Sequence, residues 1–172
     1  MVLIANACRQ AAVSPEQLGP VDPGRHAGAI QSPGTQISRF PAMPLRIFLV
    51  EDNPSIREVL VGLLEDVADC DVIGIAPSQA EAMHWLTRNP EGWDLLVVDL
   101  FLVEGSGMEV VKACAQRLPR QRVAVLTNYA DASEDRAMSQ GADAVFDKTT
   151  QIDEFLAYAA AHSDSPLQRD KL

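Results

Sequence analysis

Leu45-Arg46-Ile47-Phe48-Leu49-Val50-Glu51-Asp52-Asn53-Pro54 decides how the rest of the chain is read. The apolar run Leu45–Val50 predicts a short buried strand with two acids at its C-terminal end. Asn53 and Pro54 then offer an N-cap and a proline for the first helical position. Behind them Ile56, Val59, Leu60, Leu63, Leu64 and Val67 recur at helical spacing and predict one apolar face.

The same alternation continues downstream. Asp71–Ala76 predicts a second strand, and Ser78-Gln79-Ala80-Glu81 is a capping box opening a helix to about Asn89. Leu95–Val98 is a third strand, with Asp99 directly after it. Ser106-Gly107-Met108-Glu109 reads as another capping box, for a helix carrying Val110, Val111, Cys114 and Leu118. Val123–Leu126 is a fourth strand ending at Thr127. A short polar helix from Ser133 to Gln140 stops at Gly141. Ala144–Phe146 is a fifth strand leading to Asp147-Lys148. Thr150 is placed to cap a last helix that turns Ile152, Phe155, Leu156 and Ala159 inward. Five strands alternating with five helices predict an α/β fold: a doubly wound parallel sheet with helices on both faces.

Around this region the composition changes. Residues 1–44 read as a disordered N-terminal extension, with Pro15, Pro20, Pro23, Pro33, Pro41 and Pro44 scattered among Gly, Ser and Gln. Met43 stands just before the change, so a native start there and a genuine flexible extension are both open. Residues 45–161 form the folded domain, and 162–172 read as a flexible C-terminal tail. The formal charge is −10 overall. Residues 44–161 hold nine Lys/Arg against twenty Asp/Glu, so the acidity belongs to the domain and argues against a nucleic-acid partner. No apolar run approaches the ~20 residues of a membrane span, and the N-terminus lacks a basic segment before its short apolar stretch. Cys8, Cys70 and Cys114 are widely spaced and form no CxxC, which suggests free thiols in a reducing compartment. The expected location is the cytoplasm. His26, His84 and His162 have no metal-ligand partner at helical spacing, and Trp85 and Trp93 read as packing residues.

In a doubly wound sheet the ligand site lies beyond the carboxyl ends of the strands. This sequence puts Glu51 and Asp52, Asp99, Thr127 and Lys148 at four of those ends. Each follows an apolar run. Three carboxylates and one ammonium leave a net negative pocket, costly unless a cation joins it. Mg²⁺ prefers hard oxygen ligands and keeps waters that meet phosphate. Metal, carboxylate nucleophile, ammonium and hydroxyl together suit in-line phosphoryl transfer.

Residues 45–161 resemble the receiver domain of two-component response regulators. The resemblance rests on Phe48-Leu49-Val50-Glu51-Asp52-Asn53, Leu96-Val97-Val98-Asp99-Leu100, Gly105-Ser106-Gly107, Val125-Leu126-Thr127, and Gly141-Ala142-Asp143 leading to Lys148. It implies a flavodoxin-like, CheY-like sheet in the order 2-1-3-4-5. It implies Asp99 as the phosphoacceptor, and Mg²⁺ held by Asp52, by Asp99, by the Phe101 backbone carbonyl, and by Glu51 mostly through water. Thr127 would bond the phosphoryl group and Lys148 would pair with one of its oxygens. The implied partners are a sensor histidine kinase or phosphotransferase protein and a downstream protein target. The resemblance implies a signalling module rather than an enzyme, a monomer or weak homodimer. The 24 residues after Lys148 suggest a stand-alone regulator without a DNA-binding output domain.

Three positions depart from the family. Val145 stands where receivers often carry an aromatic, Thr149 follows the lysine where Pro is common, and Asn128 follows Thr127 where a small residue is usual. Phe101 and Tyr129 flank the expected phosphate and would slow dephosphorylation by restricting water. Two other functions stay open. A Mg²⁺-dependent aspartyl phosphohydrolase would need an acid at position 101, where this chain has Phe101. A phosphorylation-independent receiver is suggested by Val145 and opposed by the intact set Glu51, Asp52, Asp99, Thr127 and Lys148.

Overall fold

The computed structural model describes residues 43–163. The extension up to residue 42, Cys8 within it, and the tail from residue 164 lie outside the described residues. The elements run β1 (Leu45–Val50), α1 (Pro54–Asp66), β2 (Cys70–Ala76), α2 (Gln79–Arg88), β3 (Leu95–Val98), α3 (Gly107–Ala113), β4 (Arg122–Thr127), α4 (Ala130–Ser139), β5 (Ala144–Asp147) and α5 (Ile152–Ser163). All four strand pairings are parallel, in the order β2-β1-β3-β4-β5. The chain steps outward from β1 to β2 and then back past β1 to β3. That reversal opens a crevice at the carboxyl ends of β1 and β3.

Strand alternation divides the core into two layers. Leu45, Ile47 and Leu49 of β1 join Leu95, Val97, Ala124 and Leu126 against Leu60 and Leu64 of α1 and Phe155 and Ala159 of α5. Phe48, Val50, Leu96, Val98, Val123 and Val125 face the opposite way, toward Ala82 of α2, Val110 and Val111 of α3, and Ala137 of α4. Central strands buried on both faces explain why Ile47–Val50, Leu95–Val98 and Val123–Leu126 read as unbroken apolar runs. The register of β1 on β2 slips between Ile47 and Phe48. Opposite the slip, Gly74 leaves room for Trp85, which stacks on Phe48 with centroids 3.9 Å apart. A Cβ on Gly74 would sit 2.8 Å from that indole.

Several local expectations change. Val59 and Val67 are 61% and 65% exposed, so the buried stripe of α1 is narrower than its apolar spacing suggested. The Asn53 cap holds, accepting from the Ser55 and Ile56 N–H groups. So does the Ser78 cap of α2. At Ser106 the backbone is extended, as an N-cap requires, yet its side chain makes no cap bond. Helix α3 ends at Ala113, with Cys114 at its C-cap and Leu118 beyond it. Helix α4 begins at Ala130, ahead of Ser133, without a side-chain cap. The Thr150 hydroxyl bonds Asp147, and Gln151 enters α5, its carbonyl accepting the Phe155 N–H.

Cys70 and Cys114 are buried free thiols, both pushed up to about 11 chiefly by burial. No helix among the described residues is long and apolar enough to cross a membrane.

Candidate functional site

The strand exits bring the predicted acids together. The Glu51 N–H extends the ladder to the Ala76 carbonyl, and the Asp99 N–H bonds the Val50 carbonyl at 2.9 Å, so both residues are fixed at the mouth of the crevice by backbone geometry. Carboxylate oxygens of Glu51, Asp52 and Asp99 lie within 4.8 Å of one another. Glu51 and Asp99 are buried and Asp52 is half-buried.

Lys148 bridges two of them. Its Nζ lies 2.6 Å from Glu51 Oε2 and 2.7 Å from Asp99 Oδ2, and its side chain is 7% exposed. The Lys148 N–H bonds the Thr127 carbonyl at 3.1 Å. The turn beyond is built around Asp147. Its carboxylate accepts from the hydroxyl and N–H of both Thr149 and Thr150. The Thr149 hydroxyl, then its N–H, hold that carboxyl below the usual range, reinforced by Thr150. The Gln151 side chain closes the turn by accepting the Asp147 N–H at 2.9 Å.

The other oxygens of the acids are occupied by backbone donors. Asn53 N–H reaches Glu51 Oε1 at 3.1 Å, Phe101 N–H reaches Asp99 Oδ1 at 3.2 Å, and Val103 N–H reaches Asp52 Oδ2 at 3.0 Å. Arg57 donates to the Glu51 carbonyl at 3.2 Å. Glu51 thus has both oxygens engaged by protein. Asp52 and Asp99 bring hard oxygen ligands to the same small volume. This donor set fits Mg²⁺, and the surrounding N–H groups orient the ligands from behind.

Thr127 is fully buried at the end of β4, and its Oγ1 has no hydrogen-bond partner. Val98 is in register with Val125, which places Thr127 one residue beyond the level of Asp99 on the neighbouring strand. A buried hydroxyl left unbonded costs free energy, on the order of 1–3 kcal/mol, so such groups tend to mark functional positions. Phe101 and Tyr129 are 57% and 60% exposed and meet edge to face, centroids 4.9 Å apart.

Helix α3 is brought hard against the exit of β3. The Gly107 N–H bonds the Leu100 carbonyl at 3.1 Å, and a Cβ at Gly107 would lie 1.8 Å from the Asp99 carbonyl oxygen.

Sequence reasoning missed the ion pairs at the far end of the sheet. Asp94 is buried and forms a two-pronged pair with Arg46, Nε to Oδ2 and Nη2 to Oδ1, each at 3.0 Å. Asp143 pairs with Arg117 and also accepts the Val123 N–H at 2.7 Å. The buried Gln121 side chain donates to the Pro90 and Trp93 carbonyls. These partners lie 20 to 48 residues apart, and only the motif Gly141-Ala142-Asp143 gave one of them any prior signal.

Residues 47–160 match the family model described as the response regulator receiver domain. The DNA-binding transcriptional activator DevR/DosR of Mycobacterium tuberculosis is 38% identical over 95 residues, covering 55% of this chain and 41% of that protein. The chain spans about half the length of such relatives. Among solved structures, the non-phosphorylated HemR receiver domain of Leptospira biflexa is 29% identical, with a TM-score of 0.60 over 70% of this chain and 95% of that one. The response regulator domain of Thermotoga maritima CheB, at 20% identity, shares the fold with a TM-score of 0.62 over 72% and 98%.

Proposed function

The chain belongs to the response regulator receiver-domain family, and from that premise we propose that it is a phosphorylation switch acting through Asp99. A sensor histidine kinase or phosphotransferase protein would supply the phosphoryl group, and the phosphorylated domain would signal by protein–protein contact. The observation that carries this reading is the cluster of Glu51, Asp52 and Asp99, with the Lys148 ammonium bridging Glu51 and Asp99.

Each residue has a part. An Asp99 carboxylate oxygen attacks phosphorus in line, and the bond from phosphorus to the donor breaks, releasing imidazole from a phosphohistidine or acetate from acetyl phosphate. Lys148 exchanges a carboxylate partner for a phosphoryl oxygen, and the Thr127 hydroxyl donates to another. Asp52, Asp99 and the Phe101 carbonyl, with Glu51 behind, would hold Mg²⁺, which would supply charge neutralisation when bound. The added charge at Asp99 then biases a two-state equilibrium. Val145 is packed against the core, so no aromatic rotamer is available there to follow Thr127.

Incubation with acetyl phosphate and Mg²⁺, read on a phosphate-affinity gel, tests the proposal. The wild-type chain should shift, and EDTA should abolish the shift. An unshifted chain, or one indifferent to EDTA, would contradict it.

The likeness to DevR/DosR favours a second reading, in which the switch governs DNA binding. The acidity of residues 44–161 argues against this domain itself touching DNA. DNA affinity that rises on phosphorylation would support that reading over contact with a protein.

The Phe101–Tyr129 pair gives a kinetic expectation. If the two rings restrict water at Asp99, the phosphorylated wild type persists for minutes or longer, and Phe101→Ala or Tyr129→Ala shortens that lifetime severalfold. A wild-type lifetime of seconds would remove the rings' protective role.

A further inference from the structure

Gln79, the first residue of α2, grips the loop that closes the acid cluster. Its Oε1 accepts the Ser106 N–H at 2.8 Å, and its own N–H donates to the Glu104 carbonyl at 3.1 Å. Gly105, between those two, has φ +91°. A Cβ there would lie 2.4 Å from Gln79 Cβ and 2.7 Å from Gln79 Oε1, so the loop is folded tightly onto that side chain.

The other end of the same loop is tied to the acids. Phe101 N–H holds Asp99 Oδ1 and Val103 N–H holds Asp52 Oδ2. The side chains of Phe101 and Val103 are exposed, leaving Leu100 and Leu102 as the apolar anchors of this stretch. The strand ladder sets the two backbones, and one short segment of loop backbone holds a carboxylate oxygen of each acid. Gln79 secures the end of it that packing does not reach. Ser106, extended and without a side-chain cap bond, gives its N–H to Gln79.

We propose that Gln79 is a positioning residue for the Mg²⁺ site. It touches neither the ion nor the phosphoryl group. It acts through the β3–α3 loop on Asp52, Asp99 and the Phe101 carbonyl. The inference rests on the reading of Glu51, Asp52 and Asp99 as Mg²⁺-binding acids. Groups that orient metal ligands from behind change affinity by about 10–100-fold when removed, and a single neutral hydrogen bond belongs at the lower end of that range.

Calorimetric titration of the full chain with magnesium chloride tests it, alongside amide hydrogen exchange at Ser106. Gln79→Met keeps the length of the side chain and loses the acceptor. Gln79→Asn keeps an acceptor one methylene short of Ser106, and it covers the case in which Gln79→Met fails to fold. Both should bind Mg²⁺ roughly 10-fold more weakly and exchange the Ser106 amide faster, with unchanged circular dichroism. Gln79→Glu, which keeps an acceptor at full reach, should restore most of the affinity. A folded Gln79→Met or Gln79→Asn chain with wild-type Mg²⁺ affinity overturns the proposal, even if Ser106 exchange quickens, because Gln79 would then only staple the loop. Failure of the wild type to bind Mg²⁺ sinks the reading of the acid cluster and this inference with it. Wild-type binding with indifferent variants sinks only the role of Gln79.

Discussion

Asp99→Asn is expected to take up no phosphoryl group under conditions that shift the whole of the wild-type chain, while folding to the same structure. A neutral amide has no carboxylate oxygen to attack phosphorus, and Asp52, the nearest alternative, is held by Val103 on a different strand exit. The substitution preserves shape, so the two core layers are untouched. Its electrostatic consequences oppose one another. At an effective dielectric constant of ~20, the attraction between Asp99 and Lys148 across 2.7 Å is about 6 kcal/mol. Repulsion from Glu51 and Asp52, each across at most 4.8 Å, is about 3.5 kcal/mol or more per pair. The terms nearly cancel, so thermal stability in EDTA should stay within about 1 kcal/mol of wild type. Persistent phosphoryl uptake by the variant would move the acceptor elsewhere. Uptake lost together with the fold would mean that Asp99 is structural.

Gly107→Ala is expected to be the most damaging single methyl addition at this end of the sheet. The added carbon would lie 1.8 Å from the Asp99 carbonyl oxygen, 2.7 Å from its carbonyl carbon and 2.9 Å from Leu100 Cα. All three are backbone atoms at the exit of a central strand, so no rotamer change relieves the clash. Ordinary overpacking costs about 1–3 kcal/mol, and this case should reach or exceed the upper end of that range, about 3 kcal/mol, in urea or thermal unfolding. Relief requires α3 to withdraw from β3. Movement of that kind disturbs the hydrogen bond from Gly107 to Leu100 and shifts Asp99 against Lys148. The folded fraction of the variant should therefore also take up phosphoryl groups more slowly. A loss below about 1 kcal/mol would show that α3 can move freely relative to the strand.

Much of the fold was legible because the central strands are buried on both faces. Ile47–Val50, Leu95–Val98 and Val123–Leu126 are apolar without interruption, and a charged or hydroxyl residue after such a run stands at the carboxyl end of the sheet. That is why the sequence alone puts Glu51, Asp99 and Thr127 at strand ends. The sheet order followed from the resemblance, not from periodicity. The capping boxes were less dependable. Ser78 caps α2 through the Glu81 N–H, whereas the same pattern at Ser106 fails. There Gln79, from another helix, engages the backbone, and Gly107 is committed to close packing. Val59 and Val67 match the helical period of α1 but face solvent, because a one-dimensional spacing cannot say how wide a stripe the sheet covers. Helix α4 starts ahead of Ser133, at a residue with no capping signal. The pairs Arg46–Asp94 and Arg117–Asp143 were illegible for a simpler reason: tertiary contact, not local pattern, makes them partners.

The identity of the phosphorylated atom tests the central claim most directly. An aspartyl phosphate is an acyl phosphate, and borohydride reduces it to an alcohol, converting the residue to homoserine. The wild-type chain, treated with acetyl phosphate and Mg²⁺, reduced, and sequenced by peptide mass spectrometry, should carry homoserine at position 99 and nowhere else. Homoserine at position 52, or an acid-stable phosphate on Thr127 with Asp99 unmodified, would contradict the account.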